Sequence, residues 1–209
     1  MHDDPEADRV AFRPLATLRA LATLLARRGL LLAVPLALAG CLTSDPARFM
    51  IEPVPAATQI QTSADTIAIA NVSLPSYAKE TGMIVQDATG ALVPVPNADW
   101  ADEPERAMTF ALVRNLADIS GAKVAADPWP LGGVPEAEVR VRVERMLVDN
   151  TGTMRLTGQY TIRRDELTSR NRVEGFDIQV PSSTSSPTAI VRAHGAAWRD
   201  LAELIAKAI

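Results

Sequence analysis

The side chains that carry most nucleophilic and metal chemistry are scarce in this 209-residue chain, which has one Cys and two His. Nucleophilic catalysis and metal ligation both lean on those residue types, so each position can be weighed singly. Cys41 closes the string Leu38-Ala39-Gly40-Cys41, at the end of a twelve-residue apolar run from Gly29 to Gly40 that comes after Arg27 and Arg28. A cationic flank, a short apolar run and small residues ahead of a cut form the layout of a secretory signal. His194 falls within an apolar stripe at helical spacing, where an imidazole more often packs than ligates or acts as a base. Glu103 and Glu105 have the look of paired carboxylates, but in the first turn of a helix they already have a role against the macrodipole. Arg163, Arg164, Asp165, Glu166, Arg170 and Arg172 crowd one turn; mixed signs there read as a solvated surface that could also face a partner. No Gly-rich phosphate loop, Gly-x-Ser-x-Gly or His-Glu-x-x-His string occurs, and these are the motifs that would carry phosphoryl, acyl or zinc chemistry. No catalytic residue, metal ligand or cofactor is assigned, and the chain is not expected to be an enzyme.

Leu38, Ala39, Gly40 and Cys41 together resemble the lipobox of bacterial lipoproteins, in which the Cys thiol is joined to diacylglycerol and becomes the mature N-terminus. A membrane-spanning helix needs about 20 apolar residues, and extending this run backwards brings in Arg27, Arg28 and Arg19. A buried core Cys would need neither the arginines nor the small residues before it. Residues 1–40 are therefore expected to be a signal peptide, residues 41–64 a lipidated tether, and residues 65–209 one folded domain. Diacylation with amino-terminal acylation supplies more than one hydrocarbon chain, the condition for stable anchoring.

The whole chain has a formal net charge of −4. Residues 1–40 hold five Arg and four acids, so the rest of the chain is slightly more acidic. That balance argues against a nucleic-acid surface, which needs clustered Lys and Arg. With one Cys, no internal disulfide can form.

The elements that would position these residues are legible in outline. Leu42 to Ala64 is rich in Pro, Thr, Gln and Ser and reads as extended chain, with a short strand around Phe49-Met50-Ile51. Thr66 to Leu74 predicts a strand stopped by Pro75. Met83–Val85 and Ala91–Val95 predict a hairpin turned at Asp87-Ala88-Thr89-Gly90. A helix is expected from Glu103 to Ile119, with Asp102 and Glu105 as a capping box, Pro104 in the first turn and Gly121 as the stop. A short strand over Lys123–Ala126 precedes a Pro- and Gly-rich loop around Trp129. From Glu136 the period becomes two: Val139, Val141 and Val143 face one way, Glu138, Arg140 and Arg142 the other, and the phase slips before Met146 as at a bulge. Met154–Ile162 and Arg172–Val180 complete an antiparallel meander with one wet face. Ile190, His194, Trp198, Leu201 and Ile205 predict a last helix from about Pro187 to Ala208. The fold class expected is α+β, a two-layer arrangement of a mostly antiparallel sheet packed by two amphipathic helices.

With these elements in order, Val72-Ser73-Leu74-Pro75-Ser76-Tyr77 succeeded by Met83-Ile84-Val85 resembles the ABC-type transport auxiliary lipoproteins, the PqiC-like group. Asp99-Trp100-Ala101 ahead of the first helix, the valine-rich meander and the closing Leu201-Ala202-Glu203-Leu204-Ile205-Ala206 match the same group. The chain departs from it at Gln86-Asp87, where an Arg is common, and at Phe49, where a Tyr is common. The resemblance implies a non-catalytic periplasmic lipoprotein working with an MCE-domain protein and an ABC transporter in intermembrane lipid transport. Leu42 after the Cys, rather than Asp, favours the outer membrane over the inner. Candidate contact surfaces are the strand edges, the Trp129 loop and the Arg163–Arg172 turn, none of which the sequence singles out as the partner site. An open sheet edge also invites homo-oligomer formation. Two other readings stand beside this one: a carrier holding lipid between sheet and helices, and an outer-membrane assembly lipoprotein of unrelated function.

Overall fold

A computed structural model describes residues 45–52, 54–55, 58–164 and 171–209. From Pro46 onward these form one compact unit. Among the described residues, eight strands and two helices run in the order β1 (Ala47–Phe49), β2 (Thr66–Ile69), β3 (Gly82–Gln86), β4 (Leu92–Trp100), α1 (Pro104–Ser120), β5 (Lys123–Ala126), β6 (Ala137–Val148), β7 (Thr153–Arg164), β8 (Arg172–Pro181) and α2 (Pro187–Ala208). This is the α+β class expected, with the helices on one face of one sheet.

The sheet is mixed. Its long ladders, β6–β7 and β7–β8, are antiparallel, as is the β3–β4 hairpin. The shorter pairings of β1 with β4 and of β2 with both β5 and β6 are parallel, and β3 meets β6 at Val85 and Val148. One edge of β6 thus serves β2 near its start and β3 at its end, while the other is zipped to β7.

The phase slip read before Met146 is a bulge, with the register moving between Val143 and Arg145. Gly158 lies opposite. A Cβ there would run into the Arg142 carbonyl and come within 3.0 Å of both Val143 Cα and the Phe176 ring, so only hydrogen fits. The β3–β4 and β6–β7 turns use one device, an Asp-x-Thr-Gly string. Asp149 Oδ1 accepts the N–H groups of Thr151 at 2.9 Å and Thr153 at 3.1 Å. Asp87 Oδ1 likewise accepts those of Thr89 at 2.8 Å and Ala91 at 3.0 Å. Gly90 and Gly152 close the two turns at positive φ, the conformation that suits residues without a Cβ.

Two local expectations are revised. Strand β2 ends at Ile69; the Ala70 N–H still donates to the Val139 carbonyl at 2.9 Å, and Ser73 rejoins β6 as an isolated bridge to Arg142. Strand β4 runs on to Trp100, turning at Asn97 with φ 54°, with Pro94 and Pro96 on a stretch that β1 leaves unpaired. A proline is tolerated there because no ladder N–H is required of it.

Helix α1 packs on α2 and over β2 and β5, and α2 packs over β7 and β8. Their inward stripes, including Met108, Leu112, Leu116 and Ile119 from α1 and Ile190, Trp198, Leu201 and Ile205 from α2, are fully buried with Ile67, Ile69, Met154 and Leu156 from the sheet. The outer sheet face carries Glu138, Arg140 and Arg142 to water.

Candidate functional site

The processing string Leu38-Ala39-Gly40 and the acylation candidate Cys41 lie outside the described residues. The described residues start at Asp45, four positions beyond Cys41. Strand β1 starts at Ala47 and hydrogen-bonds along β4, and the Phe49 carbonyl accepts the Ala101 N–H at 2.8 Å. The segment after β1 is also tied down. Arg199, only 4% exposed, donates to the Val54 carbonyl, and Gly195 gives the Glu52 carbonyl room against α2.

The Leu74-Pro75-Ser76-Tyr77 string forms a brace. Pro75 begins a single 3-10 turn over Ser76–Ala78. The Tyr77 hydroxyl reaches β6 and accepts the Met146 N–H at 2.9 Å, at the bulge where ladder pairing is broken. From the other side, Glu105 Oε1 accepts the Leu74 N–H at 3.1 Å and pairs with Lys79 at 3.0 Å. One turn along α1, the Thr109 hydroxyl accepts the Val72 N–H at 3.0 Å. Burial raises the Glu105 pKa, but the Leu74 N–H and the Lys79 ammonium outweigh it and hold the carboxyl below its ordinary value.

The capping box expected at this helix start is therefore not made. Residue Glu103 is the N-cap, because a residue before proline avoids the helical region and Pro104 opens the helix. Asp102 accepts the Glu103 N–H at 2.9 Å and pairs with Arg106. The carboxylates that sequence pairs as Glu103 and Glu105 serve different neighbours.

His194 is buried on the inner face of α2, its Nδ1 2.8 Å from the Ile190 carbonyl and its ring edge-on to Trp100 at 5.1 Å. Burial pulls its pKa down to about 4 against a weaker opposing pull from the Ile190 hydrogen bond, so the ring is neutral near pH 7. The Trp198 Nε1 is buried with no hydrogen-bond partner among the described residues.

The surfaces divide by character. Arg163 and Arg140 both pair with Glu138, at 3.1 and 2.6 Å, and Arg164 donates to the Ser63 hydroxyl and the Ile209 carbonyl. Arg163 and Arg164 of that charge crowd thus have partners within the domain, while residues 165–170 lie outside the described set. The Trp129 loop exposes Leu131 and Val134 and borders a polar groove of about 260 Å³. Strand β8 pairs only with β7, leaving its outer edge open among the described residues. A groove of about 740 Å³ lies between the β3–β4 hairpin and the start of α2, lined by Val93, Pro94, Val95, Pro96 and Pro187. Another, of about 480 Å³, runs between the end of β1 and α1 and is lined by Phe49, Met50, Arg106, Phe110 and Arg114. Sequence reading did not single out this last surface. Its one signal is Phe110, an aromatic residue outside the buried stripe of α1. Among the described residues no group of three or more His, Cys, Asp and Glu is arranged to hold a metal ion.

Comparison with known proteins agrees with this architecture. A family model described as ABC-type transport auxiliary lipoprotein component matches residues 49–206. The crystal structure of an uncharacterized protein aligns with a TM-score of 0.64 at 15% identity, covering 79% of this chain and 99% of its own. The crystal structure of protein XCC0632 from Xanthomonas campestris, of family DUF330, aligns with a TM-score of 0.53 at 19% identity, covering 78% and 92% of the two chains. At these identities the two structures establish a shared fold. No curated protein matches the sequence.

Proposed function

This chain belongs to the ABC-type transport auxiliary lipoprotein component family, and from that membership we propose that it is a non-catalytic periplasmic lipoprotein that docks to the MCE-domain protein of an intermembrane lipid transport system. The observation that carries the reading is the family match over residues 49–206, starting just beyond a lipobox-like string. On this reading the chain is cut after Gly40, acylated on Cys41 and held on a leaflet facing the periplasm, that of the outer membrane rather than the inner. The domain supplies contact surfaces rather than chemistry, and the open β8 edge is where a second copy would add a strand in a homo-oligomer.

The carrier alternative would favour a closed apolar chamber of roughly 300 Å³ or more. The grooves of this domain open at its surface, and the space between sheet and helices is filled by Trp198, Leu112, Leu116 and Met154.

Mild cross-linking in cells and then affinity purification tests the docking reading. Recovery of an MCE-domain protein with transporter subunits is the expected result. Phospholipid in stoichiometric amount without a protein partner would move the function to a carrier, and recovery of outer-membrane assembly machinery alone to an assembly lipoprotein.

A further inference from the structure

We propose that the groove between the end of β1 and α1 is the domain's membrane-contacting face, which seats Met50 and Phe110 in the headgroup–acyl boundary of the phospholipid leaflet that holds Cys41. This rests on the lipidation of Cys41 proposed above.

The first argument is reach. Ala47, where the folded unit's first strand begins, is six positions beyond Cys41 in the sequence. At no more than about 3.6 Å per residue, that arm spans at most about 22 Å. The arm keeps β1 within that distance of an acylated Cys41, so the surfaces around β1 are the part of the domain held nearest the headgroups.

The second argument is what those surfaces display. Met50, directly after β1, is 66% exposed, and Phe110 across the groove is 39% exposed. Arg106, Phe110 and Arg114 recur at four-residue spacing along the outer stripe of α1. The Arg106 guanidinium sits 5.1 Å from the Phe110 ring centroid and holds the ring in place from one side. Arginines flanking an apolar contact can lay their stems on it and keep their heads in the headgroup layer.

The charges decide what kind of contact this is. Arg106 and Arg114 face Glu52 and Asp102 around the same groove, and Arg106 is paired with Asp102. Attraction to anionic lipid is nearly cancelled by this balance, so apolar insertion is the dominant force. The contact should hold on zwitterionic membranes and at high salt, where a polybasic patch would let go.

The test uses the full lipidated chain, reconstituted in phosphatidylcholine vesicles brominated along the acyl chains, with Met50→Trp and Val173→Trp as separate variants. Val173 is 67% exposed but lies on the outer sheet face, away from the helices. Relative to the parent protein, Met50→Trp should add at least twice the bromine quenching that Val173→Trp adds, and the same quenching in 0.1 and 1 M NaCl. Equal quenching of the two variants overturns the proposal, and loss of the Met50→Trp signal in 1 M salt overturns its apolar character. Intact mass and vesicle flotation report the anchor independently. A chain that carries diacylglycerol and floats without Met50→Trp quenching keeps the anchor and loses this face, whereas an unmodified chain removes the anchor reading itself.

Discussion

The buried imidazole of His194 links packing to pH. Its folded pKa is depressed from 6.5 to about 4, so the native state keeps the ring neutral while the unfolded chain takes up a proton below about pH 6.5. The unfolded state therefore binds more protons between those values, and stability falls as pH is lowered through that window, by up to about 1.4 kcal/mol per pH unit. Urea unfolding at pH 7.5 and 5.0 should show the loss, and His194→Gln should reduce it, whatever that substitution does to stability at pH 7.5. Tyr77 makes a different residue-scale case. Tyr77→Phe leaves the Met146 N–H at the bulge without its 2.9 Å acceptor, which should cost about 1–2 kcal/mol in the same urea measurement. An undiminished midpoint would mean that water replaces the hydroxyl.

At the scale of elements, the β6–β7–β8 meander is the most demanding piece of the fold, because one bulge must be matched by one residue without a side chain. Gly158→Ala places a methyl group against the Arg142 carbonyl and the Phe176 ring. The backbone side of that clash cannot rotate away, so a loss of about 3 kcal/mol is expected from overpacking, read as a lowered thermal midpoint. The turn that joins β6 to β7 is set by Asp149. Burial raises its pKa, but Thr151, the Arg155 guanidinium at 2.8 Å and the Thr153 and Thr151 N–H groups hold the carboxyl well below its usual range. A depressed carboxyl pKa adds stability above about pH 4 that is lost as the pH falls further. Asp149→Ala should therefore destabilise at pH 7 and make less difference near pH 2, where the unfolded parent chain has already taken up the proton. Circular dichroism melts at the two pH values would show whether the gap closes.

For the whole molecule, the question is how the segment ahead of β2 is fastened to the domain. Arg199 is a buried cation on α2 that touches Glu203 at 3.3 Å and Asp118 at 4.0 Å and donates to the Val54 carbonyl. Arg199→Ala removes both the charge pairing and the clasp on Val54, at a cost of about 2–3 kcal/mol scaled from buried ion pairs. Amide exchange of β1 should accelerate more than that of β7, because β1 has only a three-residue ladder to hold it. Uniform acceleration across the sheet would instead show Arg199 to be an ordinary core residue.

Features that repeat or close within a few residues were legible in the amino-acid sequence. Alternation along Val139, Val141 and Val143, the helical stripes of Met108–Ile119 and Ile190–Ile205, the two Asp-x-Thr-Gly turns and the slip before Met146 each come from local periodicity or turn chemistry. The string ending at Cys41 is likewise readable residue by residue, and so is the family resemblance built on Leu74-Pro75-Ser76-Tyr77. The pairings that join distant segments emerge only in the folded chain. Among them are the parallel seats of β1 on β4 and of β5 on β2, the transfer of Glu105 from a cap to Leu74 and Lys79, the seat of Arg199 on Val54 and the meeting of Met50 with Phe110 across one groove. A strand's local pattern states which face is apolar but not which neighbour it will pair with. That choice is made only when the helices cover the sheet and each polar group must find its partner in the space left.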